Sequence, residues 1–191
     1  MNYNDIKDKV RNMLPEKRYR HSENVANCAV KLSEIYGYNK DMAYLAGIVH
    51  DCAKYLSNED VKFYVKKYDI KLDKLEKNSL ALSHSIIGSY ICKYEYNIEN
   101  EDVIRAVRFH TTGRENMSLL EKIIYIADLI EEDRNFNGVE KLRELVYGGN
   151  LDEALLLSFN NTIKFVIDNN QMIHEKTIKA RNYMLENRSN K

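Results

Sequence analysis

Apolar residues recur along almost the whole chain at the spacing of an α-helix. Residues 16 to 36 are one example, because Val25, Cys28, Leu32 and Ile35 fall on one face and Gly37 follows as a stop. Strand signals are nearly absent: no Asn-Gly turn stands between two alternating runs, and the chain has one proline and seven glycines. The pattern predicts an all-α fold.

The length of 191 residues fits one domain with a substantial core, and no repeat or low-complexity linker interrupts it. We therefore expect a single helical domain of roughly nine or ten helices, with residues 69–79 as a connection. The residues that carry candidate chemistry lie at about 16–134, and C-terminal helices follow at about 137–187. The predicted helices cover approximately residues 3–13, 16–36, 40–54, 57–68, 79–94 (or 83–94), 100–110, 118–130, 139–147, 150–169 and 171–187.

Composition narrows the class of function. The 29 basic and 29 acidic residues give a formal net charge of zero, which argues against a general nucleic-acid-coating protein. Cys28, Cys52 and Cys92 are scattered and odd in number, as is typical of reduced thiols. No apolar run approaches the roughly 20 residues of a membrane helix, and the N-terminus lacks the apolar core of a signal peptide. We expect a cytoplasmic protein without a nucleic-acid or membrane partner.

Four of the five histidines, His21, His50, His84 and His110, stand at helical spacing from apolar positions and should point inward. A single inward histidine is most often a hydrogen-bonded core residue. Burying four imidazoles is unfavourable unless something satisfies them, and convergent His and Asp side chains in a helical core commonly hold a metal. The four together indicate a metal site.

Two carboxylates stand out from the other acidic residues for the same reason. Asp51 adjoins His50, and Asp128 lies in the apolar segment IIYIADLI. Either could be a buried cap or an ion-pair partner. Neighbours on a helix diverge by about 100°, so Asp51 could instead bridge two ions while His50 binds one. Hydrolytic two-metal sites hold their ions about 3.5–4 Å apart in this way.

The order His21, His50-Asp51, Asp128 resembles the H…HD…D signature of the HD-domain metal-dependent phosphohydrolases, and His84 with His110 resembles the branch with a second metal. The similarity extends over about residues 16 to 187 to the YqeK-type bacterial symmetrical diadenosine tetraphosphatases. The segments that carry it are RYRHSENVANCAVKL, AYLAGIVHDCAK, ALSHSIIGSYI, VRFHTTGRENMSLLEKIIYIADLIEEDR and IHEKTIKARNYM.

The resemblance implies a role for each matching residue. The first of two divalent metal ions would be held by His21, His50, Asp51 and Asp128, and Asp51 would bridge to a second ion completed by His84 and His110. The resemblance implies that the metal is iron, although such ligands also accept manganese, cobalt, nickel or zinc. Asp51, Asp128 and Lys54 would be catalytic. The implied substrate-binding residues are Arg18, Lys54, Thr111, Thr112, Gly113, Arg114 and Arg134.

The chain departs from the family pattern at two positions. Glu132 stands where a proline is common and Leu129 where an aromatic residue is common, which affects the loop that carries Arg134. His174 lies apart from the other histidines, and we expect it to make a structural hydrogen bond.

The resemblance implies hydrolysis of diadenosine 5′,5‴-tetraphosphate to two ADP, so the expected partners are a dinucleoside polyphosphate and an ADP-like product. The alternatives are another HD-type nucleotide phosphohydrolase, a nucleotide-binding sensor without turnover, and a structural helical adaptor. The segment HDCAK lacks the acidic pair that follows the His-Asp dyad in HD-type alarmone hydrolases, which argues against hydrolysis of guanosine tetraphosphate. The chain also has no Gly-Tyr-Pro segment, which argues against a cyclic dinucleotide phosphodiesterase. The oligomeric state stays open, and a homodimer is one option.

Overall fold

The computed structural model describes residues 3–188, and within that range it contains eleven α-helices and no strand. The all-α prediction is confirmed. In chain order the helices are α1 (Tyr3–Met13), α2 (Glu16–Tyr36), α3 (Lys40–Val49), α4 (Asn58–Lys67), α5 (Lys74–Lys77), α6 (Leu80–Tyr94), α7 (Glu101–Phe109), α8 (Leu119–Ile130), α9 (Val139–Tyr147), α10 (Leu151–Asp168) and α11 (Glu175–Glu186).

One of these helices, α5, was not predicted. It is a single turn inside the segment 69–79, which we expected to be a connection without a helix. Asp73 and Glu76 form a reciprocal capping box around it, each side chain accepting from the other residue's backbone N–H. Glu76 is buried, and its carboxylate also accepts from Lys176, 100 residues away. This long-range contact stabilises a turn that has no apolar periodicity of its own.

The prediction that α3 runs to residue 54 is wrong, because the helix ends at Val49. Nδ1 of His50, the C-terminal cap, lies 2.7 Å from the carbonyl oxygen of Gly47, and residues 50–55 continue as turns. The N–H of Lys54 donates to the carbonyl of Asp51 over 2.9 Å. Asp51 and Lys54 therefore project from a turn beyond the helix, and the argument from adjacent helical positions does not apply to them.

Helices α2 and α3 approach each other closely at Gly47. A Cβ atom at this position would lie 2.5 Å from Cα of Ala26, so only glycine permits the observed packing. The close approach places His50, at the end of α3, beside His21 on α2. α2 is the longest helix, with 21 residues. No helix in residues 3–188 combines the length and the apolar character needed to cross a membrane.

Helix α8 lies at the centre of the fold and contacts α2, α3, α7, α9 and α10. Ile123, Ile124 and Ile126 on it are fully buried. Each such side chain contributes about 1.5–3 kcal/mol of burial free energy. The same packing holds Asp128, near the C-terminal end of α8, against α2 and α3.

Candidate metal centre

The structure brings together the six residues that were predicted as metal ligands, which we call the His/Asp cluster. They come from α2, the turns that directly follow α3 and α7, the N-terminal part of α6, and α8. All but one are buried, and the side chain of Asp128 is 21% exposed. The members of the cluster are His21, His50, Asp51, His84, His110 and Asp128.

Asp51 lies at the centre of the cluster, and its two carboxylate oxygens face different imidazoles. Oδ1 is 3.0 Å from Nε2 of His84 and 3.4 Å from Nε2 of His110. Oδ2 is 3.6 Å from Nε2 of His50. A carboxylate placed in this way has the geometry needed to bind two ions, one through each oxygen.

The other half of the cluster contains Asp128. Its Oδ1 lies 3.0 Å from Nε2 of His21 and 3.9 Å from Nε2 of His50. One ligand atom each from His21, His50 and Asp51 falls within 4.8 Å of the others, and the same holds for the set Asp51, His84 and His110. The two sets share Asp51.

Each histidine of the cluster has its Nδ1 beside an atom that can only accept a hydrogen bond. Nδ1 of His50, His84 and His110 faces the carbonyl oxygens of Gly47, Leu80 and Val107 at 2.7–2.9 Å. Nδ1 of His21 faces Oε1 of Glu131 at 3.0 Å. Because these acceptors require a proton on Nδ1, the neutral ring directs the lone pair of Nε2 into the cluster.

Several of the inward-facing atoms have no hydrogen-bond partner. Nε2 of His21, Nε2 of His50 and Oδ1 of Asp51 are buried and unpaired within the described residues. Nε2 of His84 and Nε2 of His110 lie only 3.1 Å apart, although each carries a lone pair. Unpaired buried acceptors are rare and unfavourable, and a cation would satisfy all of them. The donor set therefore fits divalent metal ions.

The electrostatics keep the cluster in the protonation state that metal binding requires. Burial lowers the pKa of His50 to about 3, and burial also lowers the pKa of His84. Burial alone would raise the pKa of Asp51 and of Asp128. The neighbouring imidazoles outweigh it, chiefly His50 beside Asp51 and His21 beside Asp128, so both pKa values lie below the usual range. The result is neutral imidazoles at His50 and His84 beside two ionised carboxylates.

Three of the predicted phosphate-binding cations lie at the cluster. Arg18 contacts Oδ2 of Asp51 at 3.0 Å, and Arg134 contacts Oδ1 of Asp128 at 2.6 Å. Nζ of Lys54 is 3.2 Å from Nε2 of His84 and 3.8 Å from Oδ1 of Asp51. Oγ1 of Thr111 also approaches the cluster, at 3.3 Å from Nε2 of His110. The side chains are in place, and their role towards substrate stays a prediction.

The remaining predicted substrate-binding residues make contacts of another kind. Arg114 forms a bidentate pair with buried Glu121, with both N–O distances at 2.7 Å. The carbonyl of Thr112 accepts from Thr177 on α11, and a Cβ at Gly113 would lie 2.6 Å from the Phe159 ring. Arg114 thus joins the loop after α7 to α8, while Thr112 and Gly113 join it to α11 and α10. Within residues 3–188, none of these contacts reaches the cluster.

His174 lies in a separate polar group. It is the N-terminal cap of α11, where Nδ1 accepts from the N–H of Lys176 over 3.1 Å. Nε2 lies 3.2 Å from Glu76 and 3.3 Å from Asp73. These contacts are the structural hydrogen bonds expected of this residue, although the three side chains are also close enough to form a candidate metal-binding triad.

Glu131 and Asn24 contribute to the cluster and were missed from the sequence. Glu131 is buried, receives a hydrogen bond from Nδ2 of Asn24 at 3.1 Å, and faces Nδ1 of His21. Metal-binding histidines commonly donate their second ring nitrogen to such a carboxylate. The acidic run after Asp128 carries both Glu131 and Glu132, and nothing in the local pattern distinguishes the buried one from the exposed one.

Comparisons of this chain with known proteins all indicate the same family. The model of the HD domain matches residues 18–133. A protein of Staphylococcus aureus named bis(5'-nucleosyl)-tetraphosphatase, symmetrical, is 38% identical, over 96% of this chain and 94% of its own length. Proteins of the same name from Halalkalibacterium halodurans and Bacillus subtilis are 41% and 36% identical, over 90% and 92% of this chain and 91% and 94% of theirs.

A solved structure shows the same fold. It is a crystal structure from Clostridium acetobutylicum, described as a predicted HD superfamily hydrolase involved in NAD metabolism. It is 46% identical, covers 97% of this chain and 98% of its own, and has a TM-score of 0.93. The chain therefore belongs to the HD-domain family, and within it to the group of proteins that carry the name bis(5'-nucleosyl)-tetraphosphatase, symmetrical.

Proposed function

We propose that this chain hydrolyses diadenosine 5′,5‴-tetraphosphate symmetrically to two ADP, with two divalent cations bound in the His/Asp cluster. The observation that carries the proposal is the set of buried, unpaired ligand atoms on His21, His50 and Asp51. Such atoms are expected in a protein that binds metal at this position. The relatives named for this activity match at least 90% of the chain.

The assignment of ligands follows the two halves of the cluster. His21, His50, Asp51 and Asp128 would hold the first ion, and Asp51 with His84 and His110 would hold the second. Two ions in such a site supply a nucleophile at neutral pH and neutralise charge on phosphoryl oxygens. We propose iron as the metal, on the resemblance to the family. Imidazole and carboxylate ligands would also accept manganese, cobalt, nickel or zinc.

The chain's own side chains would bind and orient the polyphosphate. Cleavage to two ADP adds a water oxygen to one inner phosphorus atom, and the central bridging oxygen leaves with the other ADP. Asp51 or Asp128 would orient the attacking water, and its proton would pass to the solvent. Lys54, within 3.2 Å of His84, would donate to the leaving oxygen as its charge develops. Arg18 and Arg134 would bind the neighbouring phosphates.

We also propose that the whole chain acts as one domain, with the metal-binding core at about residues 16–134 and the helices at about 137–187 supporting it. The support for this is the packing of Gly113 against Phe159 and Ala180, together with the hydrogen bond from Thr177 to Thr112. These contacts join the C-terminal helices to the loop that follows His110.

A nucleotide-binding sensor without turnover is the main rival, and it differs in its products. The protein should be purified without oxygen, analysed for metal and incubated with diadenosine tetraphosphate. We expect about two metal ions per chain and two ADP per substrate, with no ATP or AMP. In water labelled with heavy oxygen, one of the two ADP molecules should carry the label, because a single attack breaks a single anhydride.

Removal of the metal gives the control for this experiment. Chelation should stop the reaction, and a ferrous salt added without oxygen should restore it better than other divalent salts. Products of ATP and AMP would contradict symmetric cleavage. Failure of the metal-loaded protein to cleave any dinucleoside polyphosphate would favour the sensor.

A further inference from the structure

A cleft of about 690 Å³ opens directly beside the His/Asp cluster. His21 lines it, as do Arg18 and Arg134, the two arginines that contact the cluster carboxylates. Its volume falls within the roughly 300–1,000 Å³ of ordinary ligand sites. Because the cleft begins at the cluster, a phosphate placed there would leave the rest of a nucleotide inside the cleft.

The charges that line the cleft are predominantly positive. Lys17 and Arg20 join the two arginines, giving four cationic side chains against the carboxylates of Glu131 and Asp133. Glu131 is already bonded to Asn24 and His21, and Asp133 to Arg20. Arg18 and Arg134 pair with Asp51 and Asp128, the carboxylates assigned to the metal ions, so with metal bound the cleft suits a polyphosphate chain. We call this space the cationic cleft.

Two aromatic residues, Tyr55 and Phe136, line the cationic cleft and are otherwise unexplained. The side chains are exposed, at 56% and 40%, although both are large and apolar. Tyr55 directly follows Lys54 in the turn after α3, and Phe136 lies two residues after Arg134 in the loop before α9. Each aromatic residue therefore lies within two positions in sequence of a residue assigned to phosphate.

The other exposed aromatic residues of the described chain differ in their contacts. Tyr3, Phe63 and Tyr94 each pack against a neighbouring tyrosine ring, and Tyr147 contacts Cys28. Within residues 3–188, Tyr55, Phe136 and Phe165 are the exposed aromatic residues whose side chains make no ring contact and no hydrogen bond. Two of these three line the same cleft. An exposed ring beside a phosphate site offers a face on which a nucleobase can stack.

We propose that Tyr55 and Phe136 form a nucleobase-binding subsite at the cationic cleft, which holds one nucleoside half of the substrate while its phosphates extend to the cluster. The inference deepens the proposed function and rests on it for the identity of the ligand. Ring stacking accepts every base, because each base presents a π-face. The subsite should therefore bind guanine nucleotides as well as adenine nucleotides.

The test separates binding of the base from binding of the phosphates. Titration calorimetry of the metal-loaded protein with ADP and with inorganic pyrophosphate compares a ligand that has a base with one that lacks it. Tyr55→Ala and Phe136→Ala should each lower the affinity for ADP at least about fivefold and leave the affinity for pyrophosphate unchanged. Tyr55→Phe and Phe136→Tyr keep the ring and should retain most of the affinity.

Phe165→Ala is the matched control, because Phe165 is also exposed and unstacked but does not line the cleft. It should bind both ligands normally. Unchanged ADP affinity in either alanine variant, or equal losses of ADP and pyrophosphate, would overturn the subsite. The hydrolysis assay tests the proposed function independently of this binding experiment. Ring-dependent ADP binding without turnover would reject the proposed function alone, and turnover with ring-independent binding would reject the subsite alone.

Discussion

Nδ1 of His21 lies 3.0 Å from Oε1 of Glu131, and this contact joins two residues that are 110 positions apart in the chain. The carboxylate fixes the proton on Nδ1 and so directs Nε2 towards Asp128. Both partners are buried, which keeps the ring from turning. Glu131 therefore acts as a positioning residue for the first metal ion.

Glu131→Gln should reduce metal affinity about 10- to 100-fold, because loss of a supporting carboxylate commonly has an effect of that size. Competition with a chelator of known affinity measures it directly. Glu132→Gln is the matched control, since Glu132 is the exposed neighbour. Equal affinity in the two variants would contradict the positioning role.

Asp51→Ala should remove bound metal and abolish turnover, because Asp51 is the residue shared by both halves of the cluster. Metal analysis of the purified variant and a product assay with diadenosine tetraphosphate measure the two effects. Asp168→Ala, an exposed aspartate at the end of α10, should behave as the unsubstituted protein does. Activity within a few-fold of normal in Asp51→Ala would exclude Asp51 from the site.

Lys54→Met should lower turnover far more than metal content. The ammonium is placed to meet phosphate, and losing one such contact to a developing anion costs about 2.7–4 kcal/mol, or roughly 100- to 1,000-fold in rate. Single-turnover rates and metal analysis on the same preparation separate the two effects. Lys62→Met, at an exposed lysine of α4, supplies the comparison. A normal rate would show that Lys54 has no role in turnover.

Gly47→Ala should destabilise the fold by about 1–3 kcal/mol, the usual effect of overpacking. The new Cβ would meet the backbone of Ala26 at 2.5 Å, and backbone atoms cannot move aside as a flexible side chain can. Gly88→Ala on α6 is the matched control, because its nearest contact would be 3.4 Å. Urea denaturation of both variants tests the difference, and equal stabilities would show that α2 and α3 separate without strain.

The three thiols should react with alkylating reagents only after unfolding. Cys28, Cys52 and Cys92 are all buried, and burial raises the pKa of Cys28 to about 11. Since the thiolate is the reactive form, a raised pKa leaves little of it at neutral pH. Counting modified thiols by mass spectrometry, with and without urea, checks this. Rapid labelling of the native protein would contradict this prediction, because it would show that the thiols are accessible to solvent in the folded state.

The helices could be predicted largely from the sequence, because a helix depends on neighbours three and four residues apart. Ser57 and Ser118, for example, are the residues that cap α4 and α8 through reciprocal boxes with the residue three positions on. The candidate metal ligands could also be predicted, since a histidine or aspartate on the apolar face of a helix interrupts the local hydrophobic pattern. Each of these signals lies within a few residues of the feature that it predicts.

Tertiary structure decided the features that depend on distant partners. The end of α3 at Val49, the burial of Glu131 and the pairing of Arg114 with Glu121 all follow from packing or from particular side-chain geometry. The local pattern treats Glu131 and Glu132 alike, and only the approach of α2 to α8 buries one of them. Sequence by itself thus determined the helices and the identity of the candidate metal-binding side chains. Their orientation and the cleft beside them come from contacts across the fold, which local periodicity does not encode.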